Sequence, residues 1–106
     1  MSDMDDRRRV FEEKYARDAE FQFKVMARRN KLLGLWAAQQ LGKQVQEVDE
    51  YVKSVVISDM AEPGDDDVLR KVLRDFEVAG IDMDDKRLRK QMNDLMAVAM
   101  EQLATE

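Results

Sequence analysis

Apolar positions recur at three- and four-residue steps along most of the chain, and the pattern breaks only around Gly42, Pro63-Gly64 and Gly80. Steps of that size place apolar groups on one side of a helix, so the breaks predict four helices joined by short turns. The first is the longest. From Asp5 to Gln40 the run DDRRRVFEEKYARDAEFQFKVMARRNKLLGLWAAQQ holds no Pro or Ser and a single late Gly. Phe11, Tyr15, Ala19, Met26, Leu33, Trp36 and Ala37 fall on one side of it, with Gln22 and Arg29 interrupting. The interruption separates an N-terminal part bearing Val10, Phe11 and Tyr15 from a C-terminal part, Leu32 to Leu41, rich in large apolar groups. Only the second is expected to be anchored in a core. Such a helix is too long for a small bundle to cover entirely.

Gly42 follows Leu41, where a glycine of positive φ closes a helix. The second helix then carries Val45, Val48, Val52, Val55 and Val56 as far as Met60; its β-branched run would suit a strand, but the length of the periodic pattern favours helix. After Pro63-Gly64, Asp65, Asp66 and Asp67 stand where an N-cap and first turn place carboxylates against unpaired N–H groups. The third helix buries Val68, Leu69, Val72, Leu73 and Phe76, and Gly80 closes it. Asp84 caps the fourth, with Met83 and Leu88 as a hydrophobic staple and Leu88, Met92, Leu95, Met96, Ala99 and Leu103 as its stripe. The predicted fold is all-α: a four-helix bundle over residues 19–106, with helices at about 19–41, 44–61, 65–79 and 84–104. Residues 1–18 precede it as a weakly anchored or disordered arm. Gly34, among apolar neighbours within the first helix, reads as a close helix contact more readily than as a phosphate cradle.

Charge sharpens the division. Residues 1–31 carry nine Lys/Arg against seven Asp/Glu, a mildly basic arm, whereas residues 32–106 carry nine against sixteen. At 106 residues with no Cys the chain is one domain without disulfides or thiolate metal sites. The absence of His removes the usual general base and metal ligand. No secretory or membrane-spanning apolar run occurs, so a cytoplasmic protein without direct membrane insertion is expected.

Few chemistries survive this composition. GDDDV and IDMDDK lack the alternating ligands, central Gly and closing Glu of a calcium loop, and no metal site is expected. No catalytic motif occurs, and the carboxylates mostly belong to solvent-facing positions, so the chain does not read as an enzyme. The basic clusters Arg7-Arg8-Arg9 and Arg28-Arg29-Asn30-Lys31 lie far apart, and a net charge of -5 repels a polyanion, which argues against nucleic acid. Arg28, Arg29, Asn30, Lys31 and Trp36 admit two readings: guanidiniums holding a phosphate beside a stacking aromatic, or a snorkelling Arg29 and a core Trp36. The eight Met residues could form an adaptable binding surface, but Met60, Met92 and Met96 fit core stripes. Phe11 and Tyr15, flanked by Arg7, Arg8, Arg9, Glu12, Glu13 and Lys14, suit a helix docking in a groove of another protein, or a frayed extension of the first helix.

The segments DDRRRVFEEKYA, FKVMARRNKLLGLWAAQQLG, GDDDVLRKVLRDFEVAGI and RLRKQMNDLMAVAMEQL, in that order, resemble the zeta inhibitor subunit of alphaproteobacterial ATP synthases over nearly the whole chain. The resemblance implies a small four-helix bundle that binds the catalytic head of the rotary synthase and inhibits ATP hydrolysis. It implies that Met1 to about Asp18 is the inhibitory element, with Asp5, Asp6, Arg7, Arg8, Arg9, Phe11, Glu12, Lys14 and Tyr15 meeting the partner. No cofactor is implied as a requirement. ADP or ATP binding on the bundle is, and Arg28, Arg29, Asn30, Lys31 and Trp36 are its candidate site. The free protein is expected to be a monomer, peripheral to the inner membrane only through the synthase. The alternative is a nucleotide-sensing bundle with a different protein partner.

Overall fold

The structure, a computed structural model, describes the backbone of residues 3–59 and 65–106 and the side chains of 18–59 and 65–106. Four helices make it up: α1 (Asp3–Gln40), α2 (Val45–Ser58), α3 (Asp66–Val78) and α4 (Asp85–Ala104), with no strand among the described residues. Each begins and ends close to where the pattern broke. Met60, Ala61 and Pro63-Gly64, named from the sequence, lie outside the described residues. The two closing glycines adopt φ +70° at Gly42 and +73° at Gly80. Beyond them Lys43 N–H donates to Ala38 O at 3.0 Å and Ile81 N–H donates to Phe76 O at 2.9 Å, which satisfies carbonyls that the helix itself leaves free.

Consecutive helices are antiparallel neighbours, and α4 returns beside α1, so α1 packs on α2 and α4 while α3 packs on the same two. The core joins Leu33, Ala37 and Ala38 of α1 to Tyr51 and Val55, to Val68, Leu69, Val72 and Phe76, and to Leu88 and Met92. Trp36 leans on Phe76 with ring centroids 5.6 Å apart. The valine stripe of α2 is only partly a core stripe. Val55 is buried, but Val45, the first residue of the helix, is exposed, and Tyr51 takes the central place the valines were expected to fill. Its hydroxyl donates to Asp75 at 2.8 Å, so the ring is buried without stranding its polar end. Gly34 faces α2 so closely that an added Cβ would stand 3.0 Å from the Val52 Cα, which makes it the close helix contact.

At 1.5 Å per residue the 38 residues of α1 span about 57 Å, whereas the 20 of α4 span about 30 Å. The bundle therefore covers only the C-terminal part of α1. From Asp18 to Lys24 every side chain is exposed, and among the described side chains burial begins at Val25. Ala19, predicted on the apolar side, is exposed because no helix lies opposite it.

Candidate functional site

The bundle releases α1 at Arg28, Arg29 and Asn30. Successive helix positions point about 100° apart, so three neighbours face three directions. Each finds a different helix. Arg28 donates to Gln102 at 2.9 Å and pairs with Glu106 just past the end of α4. Arg29 donates from Nη2 to Asp65 Oδ1 at 2.7 Å and from Nε to Asn30 Oδ1 at 2.8 Å, which ties the start of α3. Asn30 donates from Nδ2 to Asp59 Oδ2 at 2.9 Å, at the end of α2. A polar collar thus fastens the other three helices to α1 where it leaves them.

Two expectations change here. Arg29 does not snorkel: it is 1% exposed, buried like a core residue and fully engaged. Removed from water, a guanidinium needs its donors filled, and Asp65 and Asn30 fill them. Asp65 stands at the N-cap of α3, yet its side chain makes no capping bond, because its carboxylate is taken by Arg29. The Arg29 hydrogen bond, aided by the guanidinium charge and opposed by partial burial, holds the Asp65 carboxyl below the ordinary carboxylate range. By contrast, Asp84 caps α4 as predicted, accepting from Arg87 N–H at 2.7 Å.

The five residues proposed to hold a nucleotide are therefore not brought together. Arg28 and Lys31 border a groove between α1 and the end of α4; Arg29 and Asn30 turn into the bundle, and Trp36 packs in it. The groove, about 580 Å³, is formed also by Phe21, Phe23, Lys24 and Leu103. Phe23 is 75% exposed and Phe21 is exposed as well. Neither lies on the apolar side of α1, so periodicity does not single them out; the available signal is two aromatics off the stripe, at the edge of the bundle. Asp5, Asp6, Arg7, Arg8, Arg9, Phe11, Glu12, Lys14 and Tyr15 lie in the helical backbone of α1, and their side chains fall outside the described residues.

A family model described as ATPase inhibitor subunit zeta matches residues 1–102. The chain belongs to that family. Membership of the ATPase inhibitor subunit zeta family agrees with a regulatory protein rather than a catalyst. A structure solved by solution NMR is 45% identical to this zeta-family chain, with a TM-score of 0.69, over 79% of this chain and 95% of that one. A comparison with curated proteins finds no match. Among the described residues, no helix is long and apolar enough to cross a membrane, and no three acidic side chains are grouped to hold a metal ion.

Proposed function

We propose that the chain inhibits ATP hydrolysis by the rotary ATP synthase, with the N-terminal part of α1 inserting at an interface between catalytic subunits of the soluble head. One observation supports this reading beyond family membership: the helix begins at Asp3, and among its described side chains those of Asp18 to Lys24 are exposed and burial begins at Val25. In the complex its outer part would enter a cleft, with Phe11 and Tyr15 filling apolar space and Arg7, Arg8, Arg9 and Lys14 meeting carboxylates. Asp5, Asp6 and Glu12 would meet cationic groups across the same cleft. Inhibition follows because a helix wedged into an interface that must open during turnover favours one closed state; its extent is bounded by the difference in affinity between states. The synthase then holds the protein at the inner membrane without any insertion of its own.

The test adds the full-length protein, and separately a chain beginning at Ala19, to the isolated catalytic head of a matching bacterial synthase and follows ATP hydrolysis. Inhibition by the full chain and none by the shortened one is the expected result. Equal inhibition by both would move the inhibitory element into the bundle, and no inhibition by either would remove the proposed function.

A second reading, an ADP- or ATP-sensing bundle with another partner, draws on the same groove, where Lys24, Arg28 and Lys31 stand beside exposed aromatic rings. Cations for phosphate and a ring for the base are the right chemistry, although Arg29, Asn30 and Trp36 are committed elsewhere. Calorimetric titration of the free protein with ADP and ATP decides it.

A further inference from the structure

Between the arm and the collar, α1 carries two aromatic rings that the bundle covers incompletely: Phe23 is 75% exposed, and Phe21, lodged in the groove with Leu103, is 36% exposed. Phe21 and Phe23 are two residues apart, so on a helix they project about 200° apart around the axis. A flat surface, or one additional helix laid alongside, would cover one ring and leave the other in water. Only a cleft encloses both.

The charge around them is local and opposite to that of the whole chain. Lys24, Arg28 and Lys31 border the groove beside these rings with Glu106 as its one carboxylate, in a protein whose net charge is -5. Arg28 already serves Gln102 and Glu106, and Lys24 reaches Glu20 at 3.3 Å across open solvent. Lys31 makes no ion pair among the described residues.

Position supplies the occupant. Phe21 and Phe23 follow Tyr15 along one unbroken helix by only about 9–12 Å, so whatever holds the arm as far as Tyr15 brings its own surface alongside these rings. We propose that Phe21 and Phe23, with Lys24 and Lys31, form a second contact surface for the catalytic head, received by an apolar cleft rimmed with carboxylates. The proposal rests on the inhibitor reading given above and extends its interface from the arm to the rim of the bundle. The arm sets which state is trapped; this surface adds affinity and fixes how far the helix enters, because the collar stands immediately behind it.

The experiment uses the full-length chain and two double variants, Phe21→Ala/Phe23→Ala and Lys24→Glu/Lys31→Glu, each titrated against ATP hydrolysis by the isolated catalytic head at low and high salt. Phe23, Lys24 and Lys31 are exposed and Phe21 only partly so, so urea unfolding of the charge variant and of Phe23→Ala alone should match the parent protein, and Phe23→Ala carries the aromatic test if the double variant loses stability. The aromatic variant is expected to raise the apparent inhibition constant about tenfold or more, the scale of burying one or two phenylalanines. The charge variant is expected to weaken inhibition and flatten its salt dependence. Inhibition by the parent chain with unchanged constants for both variants would overturn the second surface and leave the inhibitor reading standing; no inhibition by the parent would overturn both. A Phe23-dependent dimer in sedimentation, with inhibition unaltered, would assign the rings to a second copy and overturn the proposal as well.

Discussion

Within α1, the stretch from Asp18 to Lys24 and the stretch from Val25 to Ala38 belong to one helix, yet the first buries no side chain and the second buries one whole side of the helix. In the first, aromatic and charged groups alike stand in solvent; in the second, Leu33, Ala37 and Ala38 are wholly buried, and even an arginine and an asparagine are drawn inside. Helix propensity does not separate them. What separates them is whether a second and third helix lie opposite, because tertiary packing of a face supplies most of a helix's stability in a protein. The border is polar, and polar groups mark a border well: Arg28, Arg29 and Asn30 are satisfied only when the ends of α2 and α4 and the start of α3 stand in one register.

The largest effect that would sharpen this contrast comes from truncating one apolar side chain on each side of the border. Leu33→Ala removes a fully buried side chain from the meeting point of the core and should cost about 3–4 kcal/mol. Phe23→Ala, a larger truncation by volume, should change stability by no more than about 0.5 kcal/mol, since the ring is already in water. Urea unfolding followed by circular dichroism measures both. Comparable losses would mean that the bundle grips α1 well before Val25.

Next comes the collar itself. Arg29→Ala leaves the Asp65 carboxylate and the Asn30 side chain without their donor and should cost about 3 kcal/mol, near the lower end for breaking a buried pair because Asp65 is partly exposed. Arg29→Met should cost less, since it restores packing volume and Asp65 can be hydrated. The pH dependence follows from the same contact. Asp65 has a folded-state pKa below its unfolded value of about 3.9, so its contribution is present above that value and is lost as pH falls through the lower, folded one. Unfolding midpoints taken between pH 7 and pH 3 should therefore fall more steeply below about pH 4 for the parent than for Asp65→Asn. Parallel curves would show that Asp65 gains nothing from Arg29.

The architecture was legible in the sequence because helices, closing glycines and the Asp84 cap are local signals, written within a few residues of where they act. Gly42, Gly80 and the α4 stripe needed no knowledge of the rest of the chain. The collar was not legible for the opposite reason. Arg29 reads as an interruption of an apolar side until Asp65, thirty-six residues on, is placed against it. Likewise Asp65 reads as a cap until Arg29 claims its carboxylate. Arg28, Arg29 and Asn30 stand together in the sequence, whereas adjacency on a helix sends neighbours to different partners, which only the assembled bundle displays. Family membership, carried by the order of long segments, conveyed the inhibitory role that no spacing argument reached.

The smallest expected effect tests how rigidly the covered half of α1 is seated. Replacing Gly34 by Ala should by propensity alone stabilise a helix interior by about 1 kcal/mol. Against that, the new methyl would stand 3.0 Å from the Val52 Cα and 3.3 Å from its Cγ2, and a backbone atom does not rotate aside as a side chain end does. To admit it, α1 and α2 must part by a few tenths of an ångström along the seam that also aligns Asn30 with Asp59. Overpacking of that kind costs about 1–3 kcal/mol, so the net result of Gly34→Ala should be a loss of about 1 kcal/mol. A gain in unfolding midpoint would show that α2 yields, and that the collar, rather than the Gly34 seam, sets the register of the two helices.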